Sequence, residues 1–256
     1  MVSNKTYVTE GLILNHRDFG ETDLLVTLFT KSFGKVPVVA RRAKMPNSKF
    51  SSGVQLLNKV KVSIGRGRNL DHLNECEIID SFQTIKSNLT LLSKGLFSSE
   101  LVVNFIQDRT PNFQVFNALE QNLNNLETQK NIDQSMIWFQ LQLINVSGVF
   151  PEFMVCINCN ENLKRKDHVF YSEIGGINCD NCINVNADLN HGVTILEDSL
   201  GFLRHIQRVI RSSKPYFFDK YLDDNTLNDL NKFLRIYLTY TAERQMKSIK
   251  FLDLVN

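Results

Sequence analysis

Four of the five cysteines stand in two pairs, Cys156-Ile-Asn-Cys159 and Cys179-Asp-Asn-Cys182, with 19 residues between them. A C-x-x-C turn directs two sulfurs at one point, and two such turns complete a tetrahedron around a borderline-soft ion. The spacing therefore predicts one four-thiolate zinc site. Four thiolates fill the coordination shell and leave no position for water or substrate, so the expected role of the metal is structural. Two disulfides are disfavoured in a reducing compartment, and a redox C-x-x-C leaves the second pair without a purpose. An iron–sulfur cluster is the remaining alternative. His168, between the pairs, is not needed as a ligand, and His168-Val-Phe-Tyr171 with Gly175-Gly176 reads as a small hairpin folded over the ion. Cys76 stands apart and reads as a small buried hydrophobe.

The second chemical signal is the distribution of charge. The chain holds 29 Lys+Arg and 27 Asp+Glu, a net of only +2. Residues 1–70 hold 12 basic and 4 acidic residues, a net of +8, so the remaining 186 carry 17 and 23, a net of −6. No acid occurs in the 47 residues between Asp23 and Asp71, which contain Lys31, Lys35, Arg41, Arg42, Lys44, Lys49, Lys59, Lys61, Arg66 and Arg68. Cations without local anions have a polyanion as their natural partner, which points to nucleic acid. The expected phosphate contacts are Lys35, Arg41, Arg42, Lys44, Lys49, Arg66 and Arg68, with Phe19, Phe33 or Phe50 as stacking platforms for bases. Arg17 lies beside Asp18 and Glu21 and is left out of that set.

Other motifs fail on their chemistry. Gly65-Arg66-Gly67 lacks the third glycine of a dinucleotide loop, where Leu70 stands, and is better read as a turn presenting two arginines. Gly34-Lys35 lacks the upstream glycine of a phosphate-binding loop. Asp18, Glu21 and Asp23 could form the acidic cluster of a metal-dependent nuclease, but no fourth ligand or basic partner accompanies them. No residue set for catalysis is evident, and the chain reads as a non-enzyme.

These residues require elements to position them. Short-period apolar runs predict strands over Tyr7–Leu14, Leu24–Thr30, Lys35–Ala40, Val54–Ile64 and Leu73–Ile79. Gly34 supplies a positive φ for the hairpin joining the second and third. Five strands in 80 residues suit an OB-type barrel, which binds nucleic-acid strands across one face. Beyond Asp80 the period becomes helical: Leu89, Leu92, Leu96 and Leu101; then Phe113, Phe116, Leu119, Leu123 and Leu126 after a Thr110-Pro111 start; then Met136, Ile137, Leu143 and Ile144, ending near Gly148. Helix resumes at a Thr194/Glu197 capping box, with Leu200, Leu203 and Ile206, and again with Leu230, Phe233, Leu234 and Tyr237. The expected class is α+β: an OB-fold barrel over 1–80, then a helical bundle over 81–256 with the cysteine insert at about 152–190. Met1 to Glu10 is polar and no apolar run is long enough to span a membrane, so the expected location is cytoplasmic.

The run Gly11-Leu-Ile-Leu-Asn-His-Arg17-Asp18-Phe19-Gly20-Glu21-Thr-Asp23, with Gly34-Lys35, Ala40-Arg41-Arg42-Ala43 and Gly65-Arg66-Gly67, resembles the opening domain of the bacterial RecO family of DNA repair proteins. Met246-Lys-Ser-Ile-Lys-Phe-Leu252 is similar to its C-terminal signature, and the cysteine pairs lie where zinc-bearing members carry theirs. Arg42 departs from the pattern, since the family often has glycine there. The resemblance implies a recombination mediator that binds single- and double-stranded DNA and anneals complementary strands. It further implies that, with RecR, the protein helps load RecA onto strands coated by single-stranded DNA-binding protein. The C-terminal acidic tail of that coating protein would dock on the helical domain, with Arg204, Arg208 and Arg211 as a candidate rim. The competing classes are a zinc-organised protein-interaction adaptor and the nuclease above.

Overall fold

A computed structural model of the chain describes residues 5–182, 185, 192–212, 221–242 and 246–255. Five strands, β1 (Thr6–Phe19), β2 (Asp23–Thr30), β3 (Gly34–Ala40), β4 (Lys59–Gly65) and β5 (Asp71–Asp80), close into a barrel in the order β1-β2-β3-β5-β4. The α+β expectation with an OB-like barrel is met. β-Branched residues alternate inward, as with Val60, Val62 and Ile64 of β4, and meet Ile13, Val26, Leu28, Val36 and Val38 in the barrel core. Closure needs one parallel pairing, Val38 with Asp71 and Val39 with His72, which brings the start of β5 beside the end of β3. The fourth strand begins later than the apolar pattern suggests. Val54 and Leu57 are buried from a succession of turns spanning residues 41–58, so their apolar character reflects core packing and not strand pairing.

Gly34 has φ +69°, as the hairpin requires, and a Cβ there would lie 2.3 Å from the Thr110 carbonyl oxygen. Glycine is thus needed twice over, for its backbone conformation and for the close approach of residue 110.

Helices α1 (Gln83–Ser87), α2 (Leu89–Phe105) and α3 (Phe113–Glu127) follow the barrel, and α4 (Ile132–Val146) comes next. The cap of α3 is Asn112, whose side chain accepts the Val115 N–H at 3.0 Å, and not Thr110. Asparagine is at least as good a cap as threonine, and Pro111 then lies just outside the helix. Leu89 and Phe113, expected in the core, are exposed, because each is the first residue of its helix and its side chain lies beyond the packed turns. Residues Met1–Ile132 and Met246–Asn256 form one compact unit and Asp133–Gln245 another. The change from strand to helix at Asp80 therefore falls inside the first unit. That unit includes the last helix, α7 (Lys247–Val255), whose first N–H groups, on Lys247 and Ser248, are accepted by the Glu100 carboxylate of α2.

In the second unit, β6 (His168–Tyr171), β7 (Gly176–Ile177) and β8 (Gly192–Ile195) form a sheet in the order β7-β6-β8, accompanied by α5 (Glu197–Ser212) and α6 (Asp224–Thr241). The hairpin β6–β7 turns through Gly175 at φ +61°, as expected. Thr194 corrects the capping-box expectation: it lies in β8 opposite Val169, and the first N–H of α5 is accepted by Asp167 at 2.8 Å. Phe170 of β6 stands 5.0 Å from Phe233 and 5.4 Å from Tyr237, edge-on, so an aromatic cluster joins the small sheet to α6. Residues 183, 184 and 186–190 of the expected insert lie outside the described residues. No described helix is long and apolar enough to cross a membrane.

Gly34→Ala should lower the unfolding free energy by about 3 kcal/mol, the upper end of the cost of a left-handed non-glycine residue, because the methyl group also meets the Thr110 backbone. Urea denaturation followed by circular dichroism checks this.

Candidate nucleic-acid interface and metal centre

The cations of the acid-free segment divide by depth. Lys35 sits in β3 and is buried: its ammonium donates to the Val103 carbonyl of α2 at 2.6 Å and pairs with Asp108 at 3.2 Å. This corrects its expected phosphate contact, since a charge removed from water must be neutralised where it lies. Lys59 pairs with Glu120 at 2.5 Å, and Lys44 pairs with Asp18 at 3.0 Å. The acids that compensate these lysines all come from outside the segment. Lys61 lies on the wall of the barrel, flanked in register by Glu10 and Glu77.

The remaining predicted residues are exposed on two turns. Arg41, Arg42 and Lys49 belong to the stretch after β3, and Arg66 and Arg68 to the connection between β4 and β5. Among the described residues none of these five forms an ion pair. Arg42 has φ +56°, in the left-handed region that favours glycine. Its N–H donates to Asp23 Oδ1 at 2.7 Å. That bond, with the Thr22 hydroxyl and nearby Arg41, holds the Asp23 carboxyl below the usual carboxylate range.

The turn carrying Arg66 and Arg68 is anchored by Asp71, a residue the sequence reading missed. Buried at the start of β5, Asp71 accepts from the Tyr7 hydroxyl at 3.0 Å, the Gly67 N–H at 3.2 Å and Arg109 at 3.2 Å. Burial and the bond to this carboxylate push the Tyr7 hydroxyl up to about 12, so it stays a donor. The Arg66 guanidinium lies 5.3 Å over the Tyr7 ring. Gly67 admits no side chain, since a Cβ would fall 1.8 Å from the Leu70 carbonyl oxygen. The signal in the sequence was the position of Asp71 as the first acid after a long cationic run.

Arg41 and Arg68 come together. With Phe19, Asp23, Val39, Asn69, Leu70 and His72 they line an open groove of about 420 Å³ on the barrel. Of the three aromatic candidates only Phe19 is exposed, at 42%. Phe33 is half-buried with its ring 4.4 Å from that of Tyr7, and Phe50 belongs to the barrel core beneath the Lys49 ammonium. The three acids of the nuclease alternative are not gathered, Asp18 being engaged by Lys44 and Asp23 by the Arg42 N–H. Among the described residues the four cysteines are the only His, Cys, Asp or Glu group of three or more whose ligand atoms converge.

The sulfurs of Cys156, Cys159, Cys179 and Cys182 all lie within 4.8 Å of one another, and Cys159 and Cys179 are 3.6 Å apart. A zinc-sized ion with bonds of about 2.3 Å needs sulfurs about 3.8 Å apart at the corners of a tetrahedron, so the donor set fits one metal ion. Cys156 and Cys182 are buried and Cys159 is exposed. Burial pushes the Cys156 thiol up, but N–H groups of Cys179, Cys159 and Asn158 overcome this and bring it down to about 6, favouring the thiolate a metal needs. His168 is not part of this group; its Nε2 faces the Lys164 carbonyl at 3.1 Å. Cys76 is half-buried against the barrel core, and burial pushes its thiol up to about 11.

The arginines of α5 divide in the same way as those of the barrel. Arg204 is buried and donates to the carbonyls of Phe153, Leu163 and Lys164, binding the start of the cysteine insert to the helix. Arg211 pairs with Glu152 at 2.7 Å. Arg208 is exposed and lines a cavity of about 700 Å³ with Arg165, Arg204 and His205, the acids Glu197, Asp198 and Asp223, and the apolar surface of Phe202, Tyr221 and Leu222. Of the expected three-arginine rim, Arg204 and Arg208 line the cavity, and among the described residues only Arg208 forms no hydrogen bond or ion pair to the insert.

Comparison with known proteins matches residues 3–82 to the family "Recombination protein O N terminal" and residues 86–250 to "Recombination protein O C terminal". A protein named DNA repair protein RecO from Dehalococcoides mccartyi is 26% identical over 253 residues, covering 99% of this chain and 97% of that protein. One of the same name from Symbiobacterium thermophilum is 27% identical over 250 residues, covering 96% of each. A third, from Clostridium novyi, is 30% identical over 177 residues, covering 69% of each.

Purified protein should carry about one metal ion per chain by elemental analysis, and Cys156→Ser should lose it. Removing the metal should lower the stability of the Asp133–Gln245 unit by at least ~3 kcal/mol, a fraction of the ~10–16 kcal/mol with which thiolate-rich sites bind zinc. Thermal melting with and without a strong chelator measures the difference.

Proposed function

This chain belongs to the recombination protein O family of DNA repair proteins, and from that membership we propose that it is a recombination mediator that holds DNA through the two cationic turns of its barrel. The observation that carries this reading is the set of five exposed cations, Arg41, Arg42, Lys49, Arg66 and Arg68, with Arg41 and Arg68 meeting at one groove. A role in DNA repair and recombination follows from the family, and strand annealing is the finer step. Two complementary strands repel each other through their phosphates, and a protein surface that neutralises phosphates while leaving base edges free lowers that barrier without making or breaking a covalent bond. The protein therefore acts as a mediator and not as an enzyme. Both single- and double-stranded DNA present the phosphates that such a surface takes.

The four thiolates hold Zn2+ in a closed structural site on this reading, fixing the insert that packs on α5 and α6. When bound, the ion supplies cross-linking and no open coordination position. RecR is the partner with which the protein loads RecA onto coated strands, acting in the cytoplasm. The tail of single-stranded DNA-binding protein, acidic and ending in an aromatic residue, docks in the cavity of the helical unit. Its lining holds Arg165 and Arg208 beside Phe202, Leu222 and Tyr221 and also the acids Glu197, Asp198 and Asp223, so on this reading the tail's carboxylates seat on the arginine side.

Charge reversal tests the barrel assignment. Arg41→Glu and Arg68→Glu should each weaken DNA binding about tenfold at low salt. Each should also reduce the slope of log affinity against log salt by about one, the signature of a lost phosphate contact. Unchanged affinity would place the DNA elsewhere. For the tail, Arg208→Glu should weaken binding of an acidic peptide ending in Phe by about tenfold in fluorescence anisotropy, with DNA affinity measured in parallel.

A further inference from the structure

We propose that the groove between the end of β1 and the β4–β5 turn is a seat for one unpaired base, so that the barrel distinguishes single strands from duplex by the face of a nucleotide as well as by phosphate charge. This rests on the reading of the barrel as a DNA-binding surface and adds the chemistry of one subsite. The groove, about 420 Å³, has apolar walls from Phe19, Val39 and Leu70, guanidinium groups from Arg41 and Arg68 that outnumber its one carboxylate, Asp23, and polar side chains from Asn69 and His72. Phe19 is an aromatic ring 42% exposed at the end of a strand, without the buried partners that engage Phe33 and Phe50. His72 contributes to the lining with its ring, whose Nδ1 is buried away from solvent and among the described residues has no hydrogen-bond partner.

The selectivity follows from geometry. In a duplex both faces of each base are covered by its neighbours, so no face is available to lie on Phe19. In a single strand a base can leave the stack, lie against the ring and leave its flanking phosphates to Arg41 and Arg68. One seated base anchors a strand without masking the rest, which keeps the remaining bases free to pair with an incoming complement.

The test compares wild type, Phe19→Ala and Phe19→Tyr for binding to oligothymidylate and to the same oligomer carrying abasic sites, with circular dichroism confirming the fold. Phe19→Ala should lower oligothymidylate affinity by about tenfold, the contribution of one stacked base, and Phe19→Tyr should restore it. The abasic oligomer should bind all three proteins equally. No loss in Phe19→Ala, or an equal loss on the abasic oligomer, would overturn the base seat. If in that case Arg41→Glu and Arg68→Glu still weaken binding, the phosphate-binding surface stands and only the seat falls; if they too leave affinity unchanged, the DNA-binding reading of this face falls with it.

Discussion

Charge removed from water must be neutralised at once, and that requirement sorts the positive residues of this protein. A lysine ammonium in the barrel wall faces a desolvation cost of several kcal/mol unless an acceptor meets it. Lys35 meets a helix carbonyl and Asp108, and Lys59 meets Glu120. Turns impose no such demand, so Arg41, Arg42, Lys49, Arg66 and Arg68 keep their charge exposed. A segment that looks uniformly cationic in sequence thus serves two purposes. Its buried members fasten the barrel to the helices after it, and its exposed members keep their charge at the surface that the proposed function assigns to DNA. Asp71 is the point where the two meet, since it is itself buried and neutralised while holding the turn that presents Arg66 and Arg68.

The second unit faces a different constraint. Strands of two to four residues bury little surface and would not persist as a free sheet. Three devices compensate. Four sulfurs converge for a metal, Phe153, Phe170, Phe233 and Tyr237 form a cluster in which Phe170 meets Phe233 and Tyr237 edge-on while those two rings stack on each other, and Arg204 spans from α5 to three carbonyls of the insert. Arg204 also shows why a helical stripe of arginines is ambiguous. Spacing reports which residues share a face, but not whether that face meets solvent or an irregular segment whose carbonyls need donors.

The features legible in the sequence are those whose cause is local. Strand alternation located all five barrel strands, because half-burial at period two leaves its mark within each strand. Gly34 was legible because a hairpin turn needs a positive φ, and the cysteine pairs because metal geometry restricts their spacing. Features that depend on distant pairing were not. Nothing near Lys35 in sequence discloses that Val103 and Asp108 will surround it, and nothing near Thr194 discloses that residues 168–171 will recruit it into a sheet. Asn112 was passed over for Thr110 because both can cap and only the path of the chain through Pro111 decides. At the site, the two cationic turns were visible as charge. Their convergence on one groove was not, because it follows from the parallel pairing of β3 with β5.

That pairing also determines where a polyanion can approach. On the outer wall formed by β1, β4 and β5, Glu10 lies opposite Lys61, Lys61 opposite Glu77, and Ser63 opposite Glu75. Opposite charges in neighbouring positions stabilise the sheet and cancel at a distance, and the excess acids repel phosphate. On the rim of turns at residues 41–49 and 65–71 Lys44 pairs with Asp18 and Lys49 donates to the Asn74 carbonyl, while Arg41, Arg42, Arg66 and Arg68 form no ion pair among the described residues. On the proposed reading a strand of DNA is therefore discouraged from lying along the wall and drawn to the rim. Because β3 and β5 run side by side, the two rim turns are neighbours and not opposite ends of the barrel. On the proposed reading as a mediator, neutralising groups are best concentrated in one place, and a closed barrel with one parallel seam provides that concentration without carrying a large net charge through the whole chain.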